Sequence, residues 1–180
     1  MDSEAAAIER VMAVEPEWAR DALEALYLGH RESVFRYVRA MTRDEDRALD
    51  LAATVFERAF AELRAGREPG LGWLLRTARN AVIDADRRAR TAALFRRRSY
   101  ATEASVSSPE EQSVGSERAG RVRDAVASLP RPQRDAIVLR YTSDLTVREI
   151  GEVIGKSTAA TQKSLDRGLA RLKETLDDLR

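Results

Sequence analysis

Residues 72–90 read GWLLRTARNAVIDADRRAR, and this stretch changes character along its length. Trp73, Leu74, Thr77, Ala78, Ala81 and Val82 recur at three- and four-residue intervals, which is the pattern of a helix with one buried stripe. Past Asp84 the apolar positions thin out and arginine takes over. From Gly72 through Arg98 there are eight arginines against two aspartates, a local excess of six positive charges. A helix macrodipole accounts for a cation or two at a C-terminus. A run that continues to Arg96, Arg97 and Arg98 exceeds that need, and contact with nucleic acid is the preferred reading.

The whole chain does not announce such a partner. Its 180 residues carry 31 basic and 30 acidic side chains, so only local clustering supplies a field. Cysteine is absent, which excludes disulfides, thiolate metal sites and cysteine nucleophiles. A single histidine, His30, makes neither a zinc site nor an acid–base pair alone, and it reads as a half-buried bundle residue. No phosphate loop or nucleophile–base set appears, so an enzyme is the least favoured class and no cofactor is expected. No uncharged apolar run approaches the roughly 20 residues of a membrane span, and the start MDSEAAAIERVM is no signal peptide. A cytoplasmic protein without membrane insertion is the expectation.

Alanine, leucine, glutamate and arginine dominate, which favours helices. Leu23, Leu26, Tyr27, Val34, Phe35, Val38 and Met41 form one helical stripe. A second follows Thr42 or Asp44 as N-cap, with Ala48, Leu51, Ala52, Val55, Phe56, Ala59, Phe60 and Leu63 inward. Gly66, Pro69, Gly70 and Gly72 break the chain before the third. From Thr91 to Glu117 the pattern dissolves into ATEASVSSPEEQSVGSE, which is too long for a turn inside one domain and reads as a linker. The second half restarts with ERAGRVRDAVASL and PQRDAIVLRYTS, then Val147, Ile150, Gly151, Ile154 and Gly155. Gly151 lets two helices approach, Gly155 takes a left-handed turn, and Ser157 or Thr158 caps a last helix with Leu165, Leu169 and Leu172 inward. That is a helix-turn-helix, whose second helix normally enters the major groove. The expected fold is all-α: two small helical domains joined by a flexible linker.

From about Leu23 to Leu176 the chain resembles an extracytoplasmic-function sigma factor, the small two-domain specificity subunit of bacterial RNA polymerase. The resemblance rests on WLLRTARNAVID at 73–84, LPRPQRDAIVLRY at 129–141 and the helix-turn-helix TVREIGEVIGKS that follows. It implies an N-terminal extension over 1–20, a region 2 domain over 21–90 for core polymerase and the −10 element, a linker over 91–117, and a region 4 domain over 118–180 for the −35 element. The linker, with Glu103, Glu110, Glu111 and Glu117, would thread the polymerase's RNA exit path.

By that resemblance Arg76, Arg79, Asn80, Asp84, Arg87 and Arg88 are candidates for the −10 surface. Asn80 is the sharper choice for base readout because its amide both donates and accepts, whereas an acid such as Asp84 more often orients an arginine. The family's polymerase-binding pattern, Asp-Leu-x-Gln-(acid)-x-Phe, falls on Asp50 to Phe56. Asp50, Leu51 and Phe56 match it, while Ala53 and Thr54 stand where the glutamine and the acid are usual. Arg47, Asp50, Leu51, Glu57 and Arg58 are the implied polymerase contacts. In the second domain Arg148, Lys156, Ser157, Thr158, Gln162, Lys163 and Arg167 would meet the −35 duplex, glutamine suiting adenine and arginine guanine. Thr161, Gln162 and Ser164 depart from the family's usual apolar residue, lysine and arginine. The implied partners are core RNA polymerase, promoter DNA and a cognate anti-sigma factor. The competing reading is a sigma-mimicking adaptor that sequesters an anti-sigma factor without touching DNA.

Overall fold

The structure, a computed structural model, describes residues 17–99 and 114–177, with side chains over 17–94 and 118–177. Among the described residues there are seven helices and no strand: α1 (Glu17–Thr42), α2 (Glu45–Arg64), α3 (Leu71–Ser99), α4 (Val114–Ser128), α5 (Arg131–Thr142), α6 (Val147–Ile154) and α7 (Thr158–Asp177).

Local chemistry sets most of these boundaries. Asp44 is extended and its carboxylate accepts the Arg47 amide, so α2 starts there, with Glu45 and Asp46 favourably placed in the first turn. α5 follows Pro130 with a second proline, Pro132, in its first turn, where a missing amide hydrogen does no harm. Thr146 and Glu149 form a reciprocal capping box before α6. The Thr146 hydroxyl and amide hold the Glu149 carboxyl below its ordinary value. Gly155, at φ 71°, ends α6 in the left-handed region, and the Ser157 hydroxyl accepts the Ala160 amide at 3.2 Å to start α7.

α1, α2 and α3 pack against one another. Tyr37, Val38, Ala48, Val55, Ala59, Leu74, Leu75, Ala78 and Val82 are buried between them. The alanines of α2 and α3 let these helices approach closely. In the second half Ala136, Leu139, Ile150, Val153 and Leu165 form the corresponding centre. Both expected helical units are therefore present, and they lie against each other. α1 packs on α5 and α3 on α6, and one apolar cluster runs through both units.

Four details differ from expectation. Helix α3 runs through Ser99, past the linker start at 91, because Ala92, Ala93, Leu94 and the arginines all favour helix and neither glycine nor proline interrupts them. Helix α4 likewise starts at Val114, ahead of the expected domain start at 118, and the rest of the linker, 100–113, lies outside the described residues. The expected extension 1–20 also overlaps α1, which begins by Glu17; its residues 1–16 lie outside the described residues. Leu169 is 43% exposed. The inner face of α7 is instead Thr161, Ser164, Leu165 and Gly168. A Cβ at Gly168 would lie 3.0 Å from Ile137 Cγ1, so α7 seats its small residues on α5 and turns Leu169 outward.

The seat of α7 also depends on Gly151, where a Cβ would lie 2.7 Å from the Lys156 carbonyl oxygen. Backbone cannot yield as a flexible side chain can. Gly151→Ala is expected to cost roughly 1–3 kcal/mol by overpacking and to lower the melting temperature by several degrees. Thermal denaturation followed by circular dichroism checks this; an unchanged midpoint would mean that the turn relaxes freely.

Candidate polymerase and nucleic-acid interfaces

Helical periodicity sorts the basic residues of α3 onto two faces. Arg76, Asn80 and Asp84 follow one another at four-residue steps, Arg87 and Arg88 stand three and four residues past Asp84, and all five are exposed. Arg90 and Thr91 continue the exposed end, and the side chains of Arg96, Arg97 and Arg98 lie outside the described residues. The stripe offers three guanidinium groups around one amide and one carboxylate. That chemistry suits phosphates with a base edge between them.

Arg79 and Asp86, seven residues apart, lie on the other face and turn toward the second unit. Arg79 donates through Nε to Asp135 Oδ2 at 2.9 Å, with its side chain 22% exposed. Asp135 is fully buried and also accepts the Tyr37 hydroxyl at 3.1 Å. Arg131 Nε stands 3.9 Å from the same carboxylate. Asp86 accepts from Arg47 Nη2 at 3.1 Å and from Arg131 Nη1 at 3.2 Å. On the rim Arg43, whose backbone is left-handed at φ 60°, pairs with Asp124.

The candidate polymerase residues share one face of α2. Asp50, Glu57 and Arg58 are exposed, Arg47 is half-buried by its bond to Asp86, and Leu51 packs on the core edge. The Thr54 hydroxyl donates to the Asp50 carbonyl at 3.0 Å. Its polar group is thus spent on its own helix, whereas the acid usual at this position would be offered outward.

In the second unit Lys156, Ser157 and Thr158 surround the start of α7, with Gln162, Lys163 and Arg167 exposed along it. Gln162 donates to Asp166 at 2.8 Å, and Arg148 on α6 pairs with Glu152 at 3.1 Å. Lys156, Lys163 and Arg167 line an open groove of about 320 Å³ against Pro130, Pro132 and Gln133. Thr161, at the usually apolar position, is buried and donates its hydroxyl to the Ser157 carbonyl at 2.9 Å. The departure therefore leaves no unpaired group in the core. Among the described residues no cluster of three or more metal-binding side chains occurs, and no helix is long and apolar enough to cross a membrane.

Arg47 and Arg79, proposed for different partners, are thus brought into one cluster, and sequence reasoning missed the residues that join them: Tyr37, Asp86, Arg131 and Asp135. A signal existed for Asp135. An acid heading the apolar run AIVL, four residues after an arginine, is a candidate for burial with a partner.

Burial and then the neighbouring Asp135 carboxylate hold the Tyr37 phenol well above its ordinary value near 10. The native chain therefore keeps a proton that the unfolded chain releases, and stability should fall as pH rises past about 10. Tyr37→Phe is expected to shallow that alkaline loss. Urea denaturation between about pH 8 and 11 checks it; an unchanged slope would remove Tyr37 as its source.

Comparison with known proteins identifies both helical units. The chain matches the family models for sigma-70 region 2 over residues 26–92 and sigma-70 region 4 over residues 119–172. It is 29% identical over 164 residues to the RNA polymerase sigma factor CarQ of Myxococcus xanthus, covering 89% of this chain and 92% of that protein. It is 28% identical over 182 residues to the ECF RNA polymerase sigma factor SigD of Mycobacterium tuberculosis, covering 94% and 84%. Among solved structures, CnrH in complex with the cytosolic domain of CnrY superposes with a TM-score of 0.66 at 20% identity, covering 89% of this chain and 95% of that one. The sigma factor RpoE of Bartonella quintana, in complex with the anti-sigma factor NepR, superposes at 0.63 and 19%, covering 88% and 94%. Those likenesses speak for the fold. With both regions matched in order and its relatives named as such, the chain belongs to the extracytoplasmic-function group of the sigma-70 family.

Proposed function

We propose that this chain binds core RNA polymerase and directs promoter-specific initiation through three surfaces. The region 2 unit, 21–90, docks polymerase with the α2 face of Arg47, Asp50, Leu51, Glu57 and Arg58. It engages the −10 element with the α3 stripe of Arg76, Asn80, Asp84, Arg87 and Arg88, together with Arg79. The region 4 unit, 118–180, reads the −35 duplex with Arg148, Lys156, Ser157, Thr158, Gln162, Lys163 and Arg167. Bond chemistry belongs to the polymerase, and the chain acts where polymerase works, in the cytoplasm. An anti-sigma protein is the expected restraining partner, as NepR is found with RpoE.

The observation that carries this reading is the exposed α3 stripe, with Asn80 set among three arginines. It sits within the region 2 match, and an adaptor that never met DNA would have no use for it. Its arginines place the chain by phosphate contact and its amide supplies base discrimination.

Purified chain added to core polymerase is expected to yield specific transcripts from a pool of genomic promoters. A pool without transcripts would favour the anti-sigma-sequestering adaptor. Asp50→Ala is expected to weaken polymerase binding about tenfold, the loss of one charge-assisted contact worth roughly 1–3 kcal/mol. Equilibrium titration of labelled chain checks it, and unchanged affinity would discard Asp50 from the interface. Reversing charge at Arg87 and Arg88 together should depress promoter opening far more than polymerase binding, read by permanganate footprinting. Equal loss of both would point to misfolding.

A further inference from the structure

From Lys156, just ahead of α7, to Lys173 near its end, the chain has five basic residues and one acidic one, Asp166. Asp166 is exposed, and so placed it repels the phosphates that its neighbours attract. Its Oδ1 accepts from Gln162 Nε2 at 2.8 Å, one helical turn back, and Gln162 is exposed too. The adjoining hydroxyls are directed into the helix: Thr161 donates to the Ser157 carbonyl and Ser164 to the Ala160 carbonyl. Gln162 therefore faces outward with one end of its amide already committed.

We propose that Asp166 is a positioning residue for Gln162, and that the pair makes α7 select adenine over guanine at one position of the −35 duplex. The proposal rests on the −35 role given above to Gln162. A primary amide has a donor end and an acceptor end of nearly the same shape, and an unrestrained glutamine can turn either one to a base. Beside a carboxylate only the N–H end is tolerated, because Oε1 turned toward Asp166 would set two acceptors against each other. One N–H is taken by Asp166, which leaves Oε1 and the second N–H for a base edge. Adenine offers its N6 amino group as donor and N7 as acceptor in the major groove, so it meets both. Guanine offers O6 and N7, two acceptors, and would leave Oε1 facing O6. An amide released from Asp166 can turn its NH2 group toward guanine instead. The acid thus weakens phosphate attraction, which carries no sequence information, and strengthens discrimination between bases.

The test uses the full chain with core polymerase and a barcoded promoter library randomised at each −35 position, read by sequencing the transcripts. Gln162→Ala is expected to flatten base preference at one position, which identifies the base pair that Gln162 reads. At that position Asp166→Ala should lower the adenine-to-guanine ratio about tenfold, within the range that one bidentate contact supplies. Asp166→Asn keeps an acceptor oxygen at the same reach without the charge, and should retain most of the preference. Alanine favours helix at this exposed mid-helix site, so the scaffold is kept.

A ratio that survives Asp166→Ala would overturn the proposal, as would a Gln162→Ala profile identical to wild type. Preference lost equally in Asp166→Ala and Asp166→Asn would overturn it by assigning the effect to charge. So would a shift caused by Asp166→Ala in a Gln162→Ala background, since Asp166 would then read a base itself. If wild type makes no transcript from any library member, the proposed function fails, and nuclear magnetic resonance of the free chain still judges the pair. There the Gln162 side-chain amide should follow the acid titration of Asp166 and cease to do so in Asp166→Ala; an amide that titrates alike in both proteins would overturn the pairing.

Discussion

A carboxylate removed from water must be answered by donors, and Asp135 on α5 finds two of its three in the other half of the chain. Tyr37 and Arg79 can reach it only when α1 and α3 lie against the region 4 unit. The same contact buries apolar surface where α1 meets α5 and α3 meets α6. Burial and charge pairing are therefore fulfilled by one arrangement. Removing either partner would leave a charge or a hydroxyl stranded in an apolar setting, which costs far more than the pair itself contributes. An interface of this kind specifies register more strongly than its net stability would indicate.

The placement of the candidate DNA-contact side chains follows from the geometry of α3. One helix presents Arg76, Asn80, Asp84, Arg87 and Arg88 to solvent while turning Leu74, Ala78 and Val82 into the bundle and Arg79 with Asp86 toward the second unit. The three roles share a rigid rod, so they cannot move independently. The change of character along residues 72–90 has its cause here: the first turns belong to the core, and the last turns extend past it into solvent.

Features governed by neighbours in sequence were legible. Asp44 at the start of α2, the alternating stripes of α1 to α3, Gly151 at a close approach and Gly155 in a left-handed turn all follow from residue type and spacing. So did the exposed α3 stripe, since arginines off the apolar face have nowhere else to point. Pairings across the two units were not legible. Tyr37 lies 98 residues from Asp135 in sequence, and nothing local to either residue names the other. Arg79 reads like its neighbours Arg76 and Arg87, and its different fate depends on which face α5 covers. Leu169 was misplaced for a related reason, since the small side of α7 was set by contact with Ile137 on another helix.

The turn between α6 and α7 separates what holds the last helix from what that helix displays. Gly151, Gly155, Thr161, Ser164 and Gly168 fix its seat from the inner side, whereas Thr158, Gln162, Lys163 and Arg167 point away from it. Outward residues can be exchanged without disturbing the scaffold. Under the −35 role proposed for α7, divergent descendants of this chain are free to acquire new operator preferences by surface drift, while the angle at which the helix is offered stays inherited.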